Sequence, residues 1–590
     1  MKFRNAFFFL PIPLFFIHGS AQTPKVELDR SPTDLAITAD GRFAVTANAT
    51  SNTVSLVDLT NGKLIAETAA GKRPFCISIA PTANRCAVSN QDGNSVTLYT
   101  MTPTVLVKRV EISVGDQPRG LTFSKDGKRL FVALSGEDRI AAIDVATRRV
   151  TAKLNVGIEP WQVALNPAGN RLAVGNARSQ EVSVINIATW KVDHEVKLRG
   201  KNVRHVVCSP DGAWAYVLHD AERGRPTTKE NIGMGWVIGS RLSRAPMNEN
   251  GPREAIALDP SGKAVGDVDG LDVTRDGNTI AFTAGGTHEL VLLKLPLPFV
   301  AFGGPGDIVE PEVLNKSGKY TRVDLGGRPL GVKFLPGGKS VAVVNYFGNS
   351  VQVVDVAKGA VTKTISLGCP AEPSIARKGE MLFHDAKRSH NQWYSCNSCH
   401  TEGHTNGSTF DTFNDGSYQT PKKTLSLRGV TETGPWTWHG WQTDLKMLIH
   451  DSMVKSMQGP EPEQHEIDEV LAYLKSLNFR ANPKAGSKAP AVQRGRLVFN
   501  AKNCQTCHAP PNFTAPAVFK VGLESLQDAY VGFNPPSLRG VYNRSPYLHT
   551  GEATTLEQVL TEFHSPQKLT GKPDCTKQEL SDLIAYLNTL

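Results

Sequence analysis

Between residue 22 and about residue 370, short apolar-rich runs alternate with polar turns at a nearly constant interval. Gly120-Leu121-Thr122-Phe123 and Arg129-Leu130-Phe131-Val132-Ala133 flank the turn Ser124-Lys125-Asp126-Gly127. Two strand-like runs joined by an Asp-Gly turn predict a β-hairpin. Thr38-Ala39-Asp40-Gly41, Ser209-Pro210-Asp211-Gly212 and Thr274-Arg275-Asp276-Gly277 repeat that turn. Asn166-Pro167-Ala168-Gly169 and Leu335-Pro336-Gly337-Gly338 are looser copies. A second hairpin follows each, as in Asn349 to Asp355. Unit starts fall near Pro32, Pro74, Pro118, Pro160, Val203, Gly270 and Pro329, the first four spaced 42, 44 and 42 residues apart. Four strands per roughly 40–45 residues is the period of a β-propeller blade, so seven starts predict seven blades. The long interval after Val203 predicts an inserted loop over 221–265, and a second insertion is expected over about 296–320.

Beyond residue 370 the period changes from strand-like to helical. Ile467 to Leu477 (IDEVLAYLKSL) and Leu580 to Leu590 (LSDLIAYLNTL) carry apolar residues at helical spacing and are near copies. The copying extends further. Lys378-Gly379 and Phe383 return as Arg494-Gly495 and Phe499, and Ser426-Leu427-Arg428-Gly429-Val430 returns as Ser537-Leu538-Arg539-Gly540-Val541. Gly434-Pro435-Trp436-Thr437-Trp438-His439 returns as Ser545-Pro546-Tyr547-Leu548-His549. Each copy holds one C-x-x-C-H frame, Cys396-Asn397-Ser398-Cys399-His400 and Cys504-Gln505-Thr506-Cys507-His508. That frame attaches c-type haem: the two cysteines pin the ring and the adjacent histidine ligates iron from the same turn. The expected organisation is multidomain: a leader over 1–21, an all-β seven-bladed propeller over 22–370, and two tandem all-α cytochrome-c-like domains. These span 371–479 and 491–590, joined by a linker over 480–490 rich in Pro, Ala, Gly and Lys. Two covalently bound haem c groups are expected, with His400 and His508 as proximal ligands.

Composition narrows the setting. Hydrophobic residues make up 40% and charged residues 21% of 590 positions, a globular balance and not that of a disordered chain. The formal charge is +9, without a basic stripe interleaved with aromatics, which excludes a nucleic-acid binder. Lys2 and Arg4 precede the apolar stretch Phe7 to Ile17, and Gly19-Ser20-Ala21 supplies small residues before Gln22. This is a secretory leader by pattern, so a periplasmic or otherwise exported protein is expected. No later apolar run reaches the roughly 18 residues a membrane span needs. Five cysteines lie outside the haem frames. Cys76, Cys86 and Cys208 sit in strand-like runs and read as buried thiols, whereas Cys369 and Cys575 near the domain ends leave a pairing open.

The repeats resemble the YVTN family of β-propellers, which speaks to fold alone. Residues 371–590 resemble the di-haem cytochrome c peroxidase and MauG family, whose marks are two C-x-x-C-H frames about a hundred residues apart and a Ser-Leu-Arg…Pro-Tyr-x-His-x-Gly run. The resemblance implies one haem for peroxide chemistry, a second for electron entry and a tryptophan between them. Trp438, in Trp438-His439-Gly440, is the candidate relay. Half of the eight tryptophans (Trp393, Trp436, Trp438 and Trp441) fall within 393–441, which suggests a redox-active aromatic cluster. Arg428 and Arg539 are expected to pair with haem propionates.

The resemblance also directs attention to the sixth ligands. His564 follows the apolar helix Leu556 to Phe563 and would give a low-spin bis-His iron. Aligning Leu445 with Leu556 sets Met453 opposite His564, with Met457 a helical turn further on the same face. Either would ligate the first iron, and His404, His439 and His450 compete. The family's distal glutamate is replaced by Met457-Gln458, with no carboxylate before Glu461. Arg544 stands where the family's interdomain calcium site usually has a threonine, so calcium stays open. The expected function is an exported di-haem oxidoreductase that accepts electrons from a partner protein or small donor, with hydrogen peroxide as candidate substrate and the propeller as docking platform. The alternative is a non-catalytic electron carrier with both irons six-coordinate.

Overall fold

The computed structural model describes residues 28–590 except 83, 303 and 317, so the leader expected over 1–21 lies outside the described residues. Seven four-stranded antiparallel sheets follow one another in sequence order. The first is built from Pro32–Ile37, Phe43–Asn48, Thr53–Asp58 and Lys63–Ala69. Innermost strands begin at Pro32, Pro74, Pro118, Pro160, Lys201, Val268 and Pro329, within two residues of every expected start.

A single blade cannot bury both its faces, and stacking neighbours solves this. Each space between blades holds its own apolar cluster. Leu56, Val45, Val88 and Tyr99 fill the first space. Leu35, Val57, Val344 and Val353 join the last blade to the first. Backbone and side-chain bonds close the ring there: Ser31 N–H donates to Asn349 Oδ1 at 2.8 Å, and Lys363 Nζ to the Leu59 carbonyl at 3.0 Å.

The repeated turns work as their residues predict. Thr38, Ser124, Ser209 and Thr274 hydroxyls donate to Asp40, Asp126, Asp211 and Asp276. The following glycines adopt φ of +68° to +75°, a region that costs a side chain about 1–2 kcal/mol. These hydrogen bonds hold all four aspartate carboxyls below the usual range.

One expectation fails in the fifth blade. Residues 221–265 are not a loop, because Gly239–Pro246 and Glu254–Ala257 are its third and fourth strands. The signal was hidden because polar residues point inward: Ser240, Arg241 and Ser243 are buried, and Arg241 faces Asp259 and Asp307. The insertion proper is 222–238, with the short helix Lys229–Gly233. In the sixth blade, 295–319 separate Glu289–Lys294 from Tyr320–Asp324.

The two cytochrome units repeat one helix crossing. Ile375–Phe383 crosses Gln464–Ser476, and Pro490–Ala501 crosses Lys577–Leu587. Glycine permits both approaches: a Cβ on Gly379 would lie 1.8 Å from the Glu469 carbonyl oxygen, and one on Gly495 would lie 1.9 Å from that of Asp582. Gly429 N–H donates to the Leu477 carbonyl at 2.6 Å, and Gly540 N–H to the Leu590 carbonyl at 3.0 Å. Each unit also has a π-helical segment, Ser452–Ser456 and Val559–Phe563. All nine cysteines are free. Cys369 is exposed while Cys575 packs with the second unit's core, so the pairing left open for them is not formed. No helix among the described residues is long and apolar enough to cross a membrane.

Gly379→Ala and Gly495→Ala are each expected to force their helices apart. The cost should be at least the roughly 1–3 kcal/mol of an overpacked core, read as a lowered Tm by circular dichroism. An unchanged Tm in both would contradict the crossing.

Candidate functional site

The first C-x-x-C-H turn is seated on the propeller. Cys396–Cys399 form one helical turn capped by Ser395, in a capping box closed by Ser398. The hydroxyls of Ser395 and Ser398 both donate to the carboxylate of Asp267, at 2.5 Å each. Thr401 Oγ1 donates to Asn202 Oδ1 at 3.2 Å and accepts from Arg204 Nη2 at 3.1 Å. Glu402 lies 3.3 Å from Arg119 and 3.6 Å from Arg73. Burial would raise its carboxyl, but Arg119, Arg73, Arg328 and Arg204 hold it far below the usual range. Ser408 donates to Glu222 at 2.5 Å. Asp267, Asn202, Arg119 and Arg73 all sit where the innermost strands begin, so the first unit covers that end of the propeller.

Both proximal histidines are oriented the same way. His400 Nδ1 faces the Leu425 carbonyl at 2.9 Å and His508 Nδ1 that of Phe513 at 3.1 Å. Such a bond fixes the tautomer and leaves Nε2 for a metal. Burial pushes Cys396 up to about 12 and Cys504 up to about 11, so both thiols are held protonated in the absence of a bound group.

Distal positions diverge. The His508 and His564 rings lie 6.4 Å apart between centroids. Two imidazoles bound to one ion at about 2.0–2.1 Å each would have centroids roughly 6 Å apart, so this pair fits a bis-His iron. Burial and His508 push His564 down to about 4, keeping the imidazole neutral. In the first unit the π-helical segment ends at Met457, as its counterpart in the second unit ends at His564. The alignment on helix starts, which paired Met453 with His564, is therefore four residues out of register at the helix end, because Leu445–Asp451 is longer than Leu556–Gln558. Met453 and Met457 also do not share a face. Met453 packs with Phe383, Ile449 and Tyr473, whereas Met457 packs with Trp393, Tyr394 and Cys399. Met457 Sδ is 3.7 Å from Cys396 Sγ. Of the competitors, His450 is held between Asp451 and Glu461. His439 Nδ1 faces the Gly532 carbonyl and Nε2 faces Asp528. His404 Nδ1 faces Ser426 Oγ.

A cleft lies between the propeller and both units, lined by Arg119, Arg178, His404, Arg428, Tyr542 and Asn543. Cations crowd it. Burial, Arg480 and Arg73 push Arg428 down to about 9, and burial with Arg178 and Arg544 pushes buried Lys423 well below its usual range. Among the described residues, the buried Nε and Nη1 of Arg119 have no hydrogen-bond partner. Unpartnered buried donors are costly, and acidic haem propionates would satisfy them. The donors present thus fit the group. Arg539 bonds Asn512 and lies over Phe479 at 4.2 Å, away from this cleft's lining. Cationic side chains also bond a group of backbone carbonyls between the units. Arg178 bonds those of Asn543 and Ser545, Lys423 that of Arg544, and Arg544 that of Ser537. Among the described residues no cluster of three or more His, Cys, Asp or Glu could hold a metal ion.

Trp438 does lie between the units, with Nε1 bonded to the Lys423 carbonyl at 2.6 Å. Its ring meets that of His549 edge-on at 6.1 Å. His549 is the residue that replaces Trp438 in the second copy, so the contact pairs equivalent positions. The expected four-tryptophan cluster breaks up: Trp393 packs against Ile232 and Val237 of the propeller insertion, Trp436 packs inside the first unit, and Trp441 stacks on Tyr530. Glu402, Asp267, Arg178 and His549 were not anticipated. Only His549 had a signal, its place in the repeat.

Comparison with known proteins agrees with this geometry. Residues 373–485 match the family described as di-haem cytochrome c peroxidase, and residues 492–590 match cytochrome c. The chain is 25% identical over 279 residues to hydrazine synthase subunit gamma of Kuenenia stuttgartiensis, covering 38% of this chain and 79% of that protein. It is 23% identical over 279 residues to cytochrome c551 peroxidase of Nitrosomonas europaea, covering 38% and 81%. It is 23% identical over 280 residues to MauG of Methylorubrum extorquens, covering 38% and 79%. The C-terminal region is of the di-haem cytochrome c peroxidase and MauG type, carried on a seven-bladed propeller. The protein is a haem-dependent oxidoreductase with covalently bound haem c.

Glu402→Gln leaves Arg119 and Arg73 without their shared carboxylate. Breaking such a buried pair costs about 3–5 kcal/mol, so a markedly lower Tm with two haems still attached is expected. An unaltered Tm would mean the contact holds nothing.

Proposed function

We propose that the protein is an exported di-haem c enzyme whose second unit receives electrons and whose first unit turns over substrate, with hydrogen peroxide as oxidant. Cys396, Cys399, Cys504 and Cys507 would attach the haems, His400 and His508 would ligate iron from below, and Arg428 would meet propionates. Haem c supplies one-electron transfer and, where a sixth ligand can leave, activation of peroxide. The observation that carries the reading is the asymmetry of the distal positions, His564 facing His508 in one unit and Met457 following the matching π-helical segment in the other. Imidazole holds its iron more firmly than thioether, which also raises the potential. Trp438 and His549 bridge the units. The propeller's inner end is covered by the chain's own first unit, so a docking partner would use the propeller's outer strands or opposite end.

A second reading is a pure electron carrier. It is favoured by the missing distal carboxylate: Gln458 bonds the Lys455 carbonyl, and Glu461 is bound to His450. Fold alone does not choose, and the relatives' names span a peroxidase, MauG and a hydrazine synthase subunit.

Low-temperature EPR, as isolated and after one-electron reduction, separates the two. A high-spin ferric signal consumed by peroxide supports the enzyme, and two low-spin signals indifferent to peroxide in both states support the carrier. His564→Ala should convert one low-spin signal to high-spin. Met457→Ala should alter the other, whereas Met453→Ala should leave both unchanged. A spectrum altered by Met453→Ala and not by Met457→Ala would reverse the ligand assignment.

A further inference from the structure

The innermost strands enclose an axial chamber with a cavity volume of about 50 Å³, room for a small ion and a few waters. The propeller forms most of its wall, and the first cytochrome unit closes one side with Glu380, His384, Glu402 and Tyr473. The aromatic rings of Phe75, Trp161, Tyr346 and Tyr473 line it.

Its polar lining is under-used. Arg328 is 9% exposed and lies over the Tyr346 ring at 5.2 Å, and its side chain makes no direct hydrogen bond or ion pair with any described residue. The buried His205 also makes none. Arg204 spends one nitrogen on Thr401. Four carboxylates share the lining, and none lies within bonding distance of the Arg328 guanidinium. Glu402 is shared by Arg119 and Arg73. Glu380 is held by Arg377 and the Tyr346 hydroxyl, and Asp34 by the N–H groups of Leu35 and Ile77. Arg204 and Arg328 bear on both Glu402 and Asp269, and burial pushes the Asp269 carboxyl up. A buried guanidinium without a partner is costly, and its planar fork matches a planar anion.

We propose that the axial chamber binds a small planar monoanion, of the carboxylate or nitrate class, through Arg328 and Arg204. Aromatic walls suit the organic part of a carboxylate, and the site is independent of whether the first unit reacts with peroxide. The test is isothermal titration calorimetry of the full-length haem-loaded protein with acetate, benzoate and nitrate. One site per chain is expected. Benzoate binding tightest would assign an organic carboxylate, and nitrate binding tightest an inorganic oxyanion. Arg328→Gln should weaken binding at least tenfold. Asp269→Asn should tighten it several-fold by removing a competing negative charge, and this variant keeps the test open if Arg328→Gln fails to fold. The proposal is overturned if none of the three anions binds, if Arg328→Gln binds as the parent does, or if Asp269→Asn weakens binding.

Discussion

The carboxylates of Glu402 and Asp267 join the two halves of this molecule. Glu402 comes from the haem-frame turn and meets arginines of the propeller; Asp267 comes from the propeller and meets serines of the turn. Charge-assisted bonds of this kind are directional and strong where water is excluded. Crossing in both directions, they leave Cys396–His400 little freedom to move relative to the innermost strands. The propeller is thus a wall of the first haem site and not a tethered accessory. The cation-rich cleft and the axial chamber both follow from that seating, since each takes lining from both halves.

The second unit shares the scaffold without the seating. Its helix crossing, its glycine contact and its π-helical segment repeat those of the first. The differences are an α-helical turn at Cys396–Cys399 against a 3-10 turn at Cys504–Thr506, a longer helix before Met457 than before His564, and a tryptophan where the second copy has His549. A duplicated fold can hold two irons of unequal character because only the distal residue and its local helix length need to change. The contact of Trp438 with His549 sets the equivalent positions of the two copies against each other.

Much of this was legible in sequence because it is written locally. The Asp-Gly turns mark the blades, the C-x-x-C-H frames mark the haem sites, and the copied IDEVLAYLKSL and LSDLIAYLNTL mark the packing helices. What was missed depends on contacts between distant segments. Glu402 and Arg119 are 283 residues apart, and neither carries a motif. The fifth blade's third strand was read as loop because Arg241 and Ser243 face inward. The Met453 register failed because Leu445–Asp451 is four residues longer than Leu556–Gln558, a difference that aligning the helix starts does not report. Trp393 was grouped with its sequence neighbours although it packs on the propeller.

If the propeller is a wall of the first haem site, its side chains should tune that haem and leave the other alone. The direct measurement is a spectroelectrochemical titration of the full-length protein beside Asp267→Asn, which weakens the bonds to Ser395 and Ser398. The account predicts that one midpoint potential shifts while the second stays in place. Two potentials that do not move, or that move together, would contradict it.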